Sequence, residues 1–125
     1  MGLPNAKRIL IVDDNSELAQ SLAELLEVDG HRVVTANDPV TALDLARQSN
    51  PEICILDLEL PIMDGYELAK RLHETPPTER AVLVALTGYG RDHDQRRTHE
   101  AGFAYHLVKP VDIGKLATIL EQAGT

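Results

Sequence analysis

The sequence has one cysteine, no tryptophan, a single phenylalanine and three tyrosines. One cysteine excludes an intramolecular disulfide, and with it the disulfide-stapled secreted scaffolds. Cys54 lies inside an apolar run and reads as a small buried hydrophobe. With aromatics at 3%, Leu, Ile, Val and Ala must fill the interior. Basic charge is scarce as well, at 12 Lys and Arg against 20 Asp and Glu, for a net charge of -8. That balance argues against direct nucleic-acid binding, which relies on cationic side chains neutralising phosphates. It suits a protein that holds cations. No apolar run approaches the ~20 residues of a membrane span, so no direct membrane contact is expected. The first residues carry no basic-then-apolar leader pattern, which leaves a cytoplasmic location as the default.

What is present is a rhythm. At 125 residues the chain predicts one domain with a real core, with a loose tail over 1–6 and the domain over 7–123. Five apolar runs read as buried strands. They are Ile9-Leu10-Ile11-Val12, Arg32-Val33-Val34-Thr35-Ala36, Ile53-Cys54-Ile55-Leu56, Ala81-Val82-Leu83-Val84-Ala85-Leu86 and Ala104-Tyr105-His106-Leu107-Val108. Runs without polar alternation fit strands covered on both faces.

Between the strands lie helical patterns. The first starts near Asp14, Asn15 or Ser16, where Asp14 and Glu17 match a loose capping box. Its expected inner face is Leu18, Leu22, Leu25 and Leu26. The second starts at Asp38-Pro39, with Val40, Leu43 and Ala46 inward, and closes at Asn50-Pro51. The third, through Leu68 and Leu72, should stop at Pro76-Pro77. The fourth, over 91–100, is nearly all polar and should pack weakly. The fifth runs over about 112–122, with Ile113, Leu116, Ala117 and Leu120 inward. Five alternating strands and helices predict an α/β fold with a doubly wound parallel sheet.

Just past the strands come Asp13 and Asp14, then Asp57, Thr87 and Lys109. In a parallel sheet these ends share one edge, where ligands of open α/β sheets gather. Taken alone, Asp57 is as well explained as a strand-end turn residue; the set is far more specific. Like charges ~4 Å apart at an effective dielectric near 20 repel by roughly 4 kcal/mol, so either protons or a cation must relieve them. Hard carboxylate oxygens without His or Cys favour Mg²⁺, or Mn²⁺. With Lys109, such an ion makes a pocket for a phosphoryl group, and Asp57 is the candidate nucleophile.

Four segments carry a resemblance. Ile11-Val12-Asp13-Asp14-Asn15, Leu56-Asp57-Leu58-Glu59-Leu60-Pro61-Ile62-Met63-Asp64-Gly65, Ala85-Leu86-Thr87-Gly88 and Leu107-Val108-Lys109-Pro110 together resemble the response-regulator receiver domains of two-component signalling and phosphorelays. The 101–112 stretch is most similar to receivers of hybrid sensor histidine kinases. The resemblance implies a (βα)5 flavodoxin-like sheet in the order 2-1-3-4-5, within a receiver domain spanning 7–123. It implies that Asp57 is the phosphoacceptor, with Asp14, Asp57 and the Glu59 backbone carbonyl as metal ligands and Asp13 acting mainly through water. Thr87 and Lys109 match the hydroxyl and the cation that contact the phosphoryl group. Lys109-Pro110 matches the family's cis peptide. A histidine kinase or histidine phosphotransfer domain is the implied donor, and a downstream protein target the recipient of a switch in the helix 4–strand 5–helix 5 surface.

The family's switch aromatic sits three residues before the lysine, and here that residue is His106. Strand alternation sends Tyr105 to the opposite face, so Tyr105 is no simple substitute. Glu59 and Tyr89 hold the positions that, in relatives, tune the acyl-phosphate lifetime. Two other readings fit parts of the sequence. Asp57-Leu58-Glu59 is superficially similar to the acidic motif of haloacid-dehalogenase-like phosphatases, which would make the chain an aspartyl-phosphate-forming enzyme. A receiver-like module independent of phosphate is the other.

Overall fold

A computed structural model describes residues 6–60, 62–88 and 95–123. The five strands are β1 (Arg8–Val12), β2 (Arg32–Ala36), β3 (Ile53–Asp57), β4 (Val82–Thr87) and β5 (Phe103–Val108). They form one sheet in the order β2-β1-β3-β4-β5, and every pair is parallel. This is the expected 2-1-3-4-5 order of a flavodoxin-like fold. The helices are α1 (Ser16–Val28), α2 (Pro39–Ser49), α3 (Gly65–His73), α4 (Gln95–Glu100) and α5 (Ile113–Ala123). No helix among the described residues is long and apolar enough to cross a membrane.

Alternation along the strands divides the interior into two cores. On one face of the sheet, Leu10, Val12, Cys54, Leu56, Leu83 and Ala85 meet Ala42, Ala46, Leu68 and Leu72 of α2 and α3. On the other, Ile9, Ile11, Ile53, Ile55, Val84 and Leu86 meet Leu22 and Leu26 of α1 and Leu116 and Leu120 of α5. Every residue of β3 is buried. Cys54 is fully buried, and burial pushes its thiol up to about 12.

Helix ends follow local chemistry, with differences from expectation. Asn15 caps α1, its side chain accepting the Leu18 N–H, so the Asp14–Glu17 capping box does not form. Asp38 caps α2 through the Thr41 N–H, and Asn50 ends it in the left-handed region. Asp64 caps α3 through the Glu67 N–H. That helix ends at His73 before the prolines, and Pro76–Thr78 forms a separate 3-10 turn.

Inner faces also differ. Leu25 is 48% exposed and Val40 64%, and Ile113 is exposed too. Ala46 is buried as expected, and Ala19, Ala23 and Ala42 are buried beside the inner faces in place of the exposed residues, because small side chains let α1 and α2 lie close on the sheet.

In β5, Leu83 pairs with Phe103 but Val84 pairs with Tyr105. Ala104 is therefore the extra residue of a bulge. Phe103 joins the α2–α3 core while Tyr105 packs on the α1–α5 core. His106, in register with Ala85, takes the face opposite Tyr105, as expected. Of the 91–100 segment, residues 91–94 lie outside the described residues. α4 buries Thr98 and leaves Arg96, Arg97, His99 and Glu100 exposed.

Candidate functional site

The sheet order reverses between β1 and β3, where crossovers leave to opposite faces and a crevice opens at the strand ends. β1 runs out into Asp13 and Asp14, and β3 ends in Asp57. Carboxylate oxygens of these three residues all lie within 4.8 Å of one another. Asp13 is 0% exposed and Asp57 2%, whereas Asp14 faces solvent. From the far side, Lys109 reaches in just past β5. Its Nζ lies 2.9 Å from Asp13 Oδ2 and 3.3 Å from Asp57 Oδ2.

The carboxylates are aimed by backbone donors. Asp13 Oδ1 accepts the Asn15 N–H at 2.9 Å, and Asp57 Oδ1 accepts the Glu59 N–H at 2.9 Å. The Asp13 backbone is tied on both sides, its N–H to the Ala36 carbonyl and its carbonyl to the Asn37 side-chain amide. Asp13 Oδ2 is buried with no aligned hydrogen-bond donor among the described residues, and its charge is met by the Lys109 ammonium alone.

Burial drives the Asp57 carboxyl above the ordinary carboxylate range, and the Asp13 charge adds to this. The Glu59 N–H and Lys109 pull the other way without winning. For Lys109, burial favours the neutral amine, but Asp13 and Asp57 outweigh it and hold the ammonium above its usual range.

The other expected residues frame this centre. Thr87 ends β4, is buried, and its carbonyl accepts the Lys109 N–H at 2.7 Å. Glu59 is exposed, and its Oε1 accepts the Gly88 N–H at 3.3 Å, bridging the loops after β3 and β4. The Lys109-Pro110 bond is cis. His106 is half-buried, beside Thr98 and His99 of α4. Tyr89 lies outside the described residues.

Three carboxylates facing one ammonium leave a surplus of negative charge. The donor set is all hard oxygen, and the buried Asp13 Oδ2 has the Lys109 ammonium beside it but no aligned hydrogen-bond donor among the described residues. Both features fit a hard divalent cation such as Mg²⁺ or Mn²⁺. An anionic group entering beside that cation would meet Lys109 and the end of β4.

Sequence reasoning missed Gly65. A Cβ there would stand 2.6 Å from the Asp57 carbonyl oxygen and 2.7 Å from Leu58 Cα. The Gly65 N–H donates to the Leu58 carbonyl at 3.2 Å. α3 thus begins in direct contact with the backbone of Asp57 and Leu58. The Asp64-Gly65 pair signals a turn in the sequence, but nothing there signals this approach.

A family model described as the response regulator receiver domain matches residues 9–121. A 14.6 kDa protein of Leptolyngbya boryana is 36% identical over 114 residues, covering 91% of this chain and 87% of that protein. The polar-differentiation response regulator DivK of Brucella ovis is 27% identical over 107 residues, covering 86% and 87% respectively. Among solved structures, the chemotaxis response regulator CheY4 of Vibrio cholerae superposes with a TM-score of 0.83 at 25% identity, covering 94% of this chain and 98% of that one. The receiver domain of sensor histidine kinase PA1611 from Pseudomonas aeruginosa gives a TM-score of 0.85 at 26% identity, covering 96% and 99%. That protein holds a magnesium ion in its active-site cleft.

Proposed function

The chain belongs to the response regulator receiver family, and from that membership we propose that Asp57 accepts a phosphoryl group from a phosphohistidine in a Mg²⁺-dependent reaction. The observation that carries this reading is the Asp13–Asp14–Asp57 cluster closed by Lys109. An Asp57 carboxylate oxygen attacks phosphorus as the P–N bond to the donor imidazole breaks. The imidazole nitrogen keeps the electron pair, and the product is an acyl phosphate. Asp14, Asp57 and the Glu59 backbone carbonyl are the residues assigned to hold the ion, with Asp13 acting through water. Bound there, Mg²⁺ would offset the repulsion between the carboxylates and the incoming phosphoryl oxygens. Lys109 is assigned to pair with a phosphoryl oxygen and the Thr87 hydroxyl to contact another.

The receiver domain is assigned to residues 7–123. Its donor is a histidine kinase or histidine phosphotransfer domain, and the chain fits either a stand-alone regulator or the receiver of a hybrid kinase. Phosphorylation biases a two-state equilibrium that is read by a protein target at α4, β5 and α5. His106 is assigned to follow Thr87 inward, a reading supported by its position in β5 next to β4 and beside α4. The chain then hydrolyses its own acyl phosphate, at a rate that Glu59 and Tyr89 tune. The phosphatase alternative needs Glu59 as acid and base, but its Oε1 is engaged with the Gly88 N–H.

The test is intact mass after incubation with Mg²⁺ and acetyl phosphate. One phosphate adduct on the parent, absent with chelator and absent in Asp57→Ala, is the expected result. An adduct that survives Asp57→Ala refutes the assignment.

A further inference from the structure

α4 is a short helix with little apolar surface, so what holds it in place matters. Arg97 projects from it across to α3. Its guanidinium carbon lies 3.9 Å from the centroid of the Tyr66 ring, a cation–π geometry. A guanidinium nitrogen lies 4.0 Å from Asp64 Oδ2. Tyr66 in turn stands edge-to-face on Phe103 of β5, with centroids 6.3 Å apart. Asp64 and Tyr66 flank Gly65, the residue packed against the Asp57 carbonyl. The contact therefore joins α4 to the one turn of helix built directly on the acceptor's backbone.

We propose that Arg97, clasped by Tyr66 and Asp64, is a positioning residue that latches α4 to α3 in the unphosphorylated arrangement and so opposes phosphorylation of Asp57. The inference rests on the receiver reading above. A phosphoryl group on Asp57 adds anionic oxygens that draw on the Thr87 hydroxyl and on the N–H groups at the end of β4. The Gly88 N–H is at present engaged by Glu59. β4 pairs along its length with β5, on which α4 packs, so a shift at the end of β4 is carried to α4. The latch sits at 3.9 Å, and a cation–π contact weakens as the cation leaves the ring. A contact made in one arrangement and lost in the other biases the equilibrium toward the first by its own free energy. An exposed cation–π pair corresponds to roughly a two- to five-fold bias.

The experiment uses the full chain with Mg²⁺ and two probes: acetyl phosphate, followed by intact mass, and beryllofluoride, titrated by ¹H–¹⁵N NMR. Arg97 is exposed, so Arg97→Ala leaves the packing of the core intact. Expected is about two- to five-fold faster adduct formation and tighter beryllofluoride binding in Arg97→Ala and in Tyr66→Leu. The double variant should show no more than Arg97→Ala alone, because that change already removes the contact with Tyr66. Tyr66→Phe keeps the ring face and should behave as the parent, and Arg97→Lys should restore part of the effect. Unchanged or slower uptake in Arg97→Ala overturns the latch. So do single effects that multiply in the double variant. If the parent itself takes up neither probe, the receiver reading falls and the latch with it. If the parent takes up both, that reading stands whatever the variants show.

Discussion

Replacing Gly65 with alanine puts a methyl group where there is no room for one. The added carbon would stand 2.6 Å from the Asp57 carbonyl oxygen and 2.7 Å from Leu58 Cα, whereas ordinary contacts begin at 3.4 Å. Both neighbours are backbone, held by the β3–β4 ladder and by the Leu58 N–H bond to the Leu86 carbonyl. Neither can swing aside, so α3 must back away by most of an ångström. Forced overpacking of this kind costs about 1–3 kcal/mol. Alanine recovers part of that, since glycine is about 1 kcal/mol worse within a helix and less so at its first position. The net expectation is a loss of about 1–2 kcal/mol, or about 4–8 °C in Tm for a chain of this size. Urea and thermal unfolding followed by far-UV circular dichroism measure it. Gly114→Ala in α5 is the control, because its Cβ would meet only the Asp112 side-chain oxygen, at 3.2 Å, which need give far less than the backbone around Gly65 and can keep its bond from the Lys115 N–H. A Gly65→Ala protein as stable as the parent would refute the claim that close approach fixes this residue. On the proposed function, slower phosphoryl uptake is expected in the same variant, because the displaced helix leans on the Asp57 backbone.

Three further outcomes are expected. Lys109→Ala should lose about 3 kcal/mol in metal-free buffer, the low end for breaking a buried ion pair because Lys109 is partly exposed. Mg²⁺ should restore much of that loss in urea unfolding, since the orphaned carboxylates then have another cation. For Asp57 the folded-state carboxyl is raised, so its contribution is present below about 3.8 and lost as pH rises through the folded value. Asp57→Asn should therefore be more stable than the parent at pH 7 with chelator, and the advantage should vanish toward pH 4. His31 has the opposite sign. Burial lowers it against the pull of Asp29, with Lys7 helping, and its Nδ1 accepts the Lys7 N–H at 3.0 Å. Its contribution is present above about 6.5 and lost as pH falls through the depressed value, so the parent should lose more stability than His31→Asn between pH 8 and pH 5.

The strands and the central acids were legible for one reason. β1, β3 and β4 lie inside the sheet, so their sequences are unbroken apolar runs, and the first charged or polar residue marks where each leaves the core. Asp13, Asp57 and Thr87 are read directly from that boundary, while Lys109 follows the edge strand β5, whose run is less purely apolar. The helix faces were less legible, because apolar size misleads at Leu25 and Val40. Alanines do the packing, and a sequence pattern gives them little weight. The cap of α1 was ambiguous among three residues able to serve. Asn15 takes the role, which leaves Asp14 at the site. The Ala104 bulge and the Arg97–Tyr66 contact were not legible at all. Both depend on how separate elements register in space, and no local spacing encodes that.

The two cores lie on opposite faces of the sheet, while the acids, Thr87 and Lys109 sit at strand ends whose spacing is set by backbone ladders. The reactive geometry thus depends on hydrogen bonds common to any sequence able to form these strands. The acids, Thr87 and Lys109 lie on none of α1, α4 and α5. A lineage carrying this scaffold is free to rewrite its recognition surfaces, and so exchange one conversation for another, while the chemistry underneath stays the same.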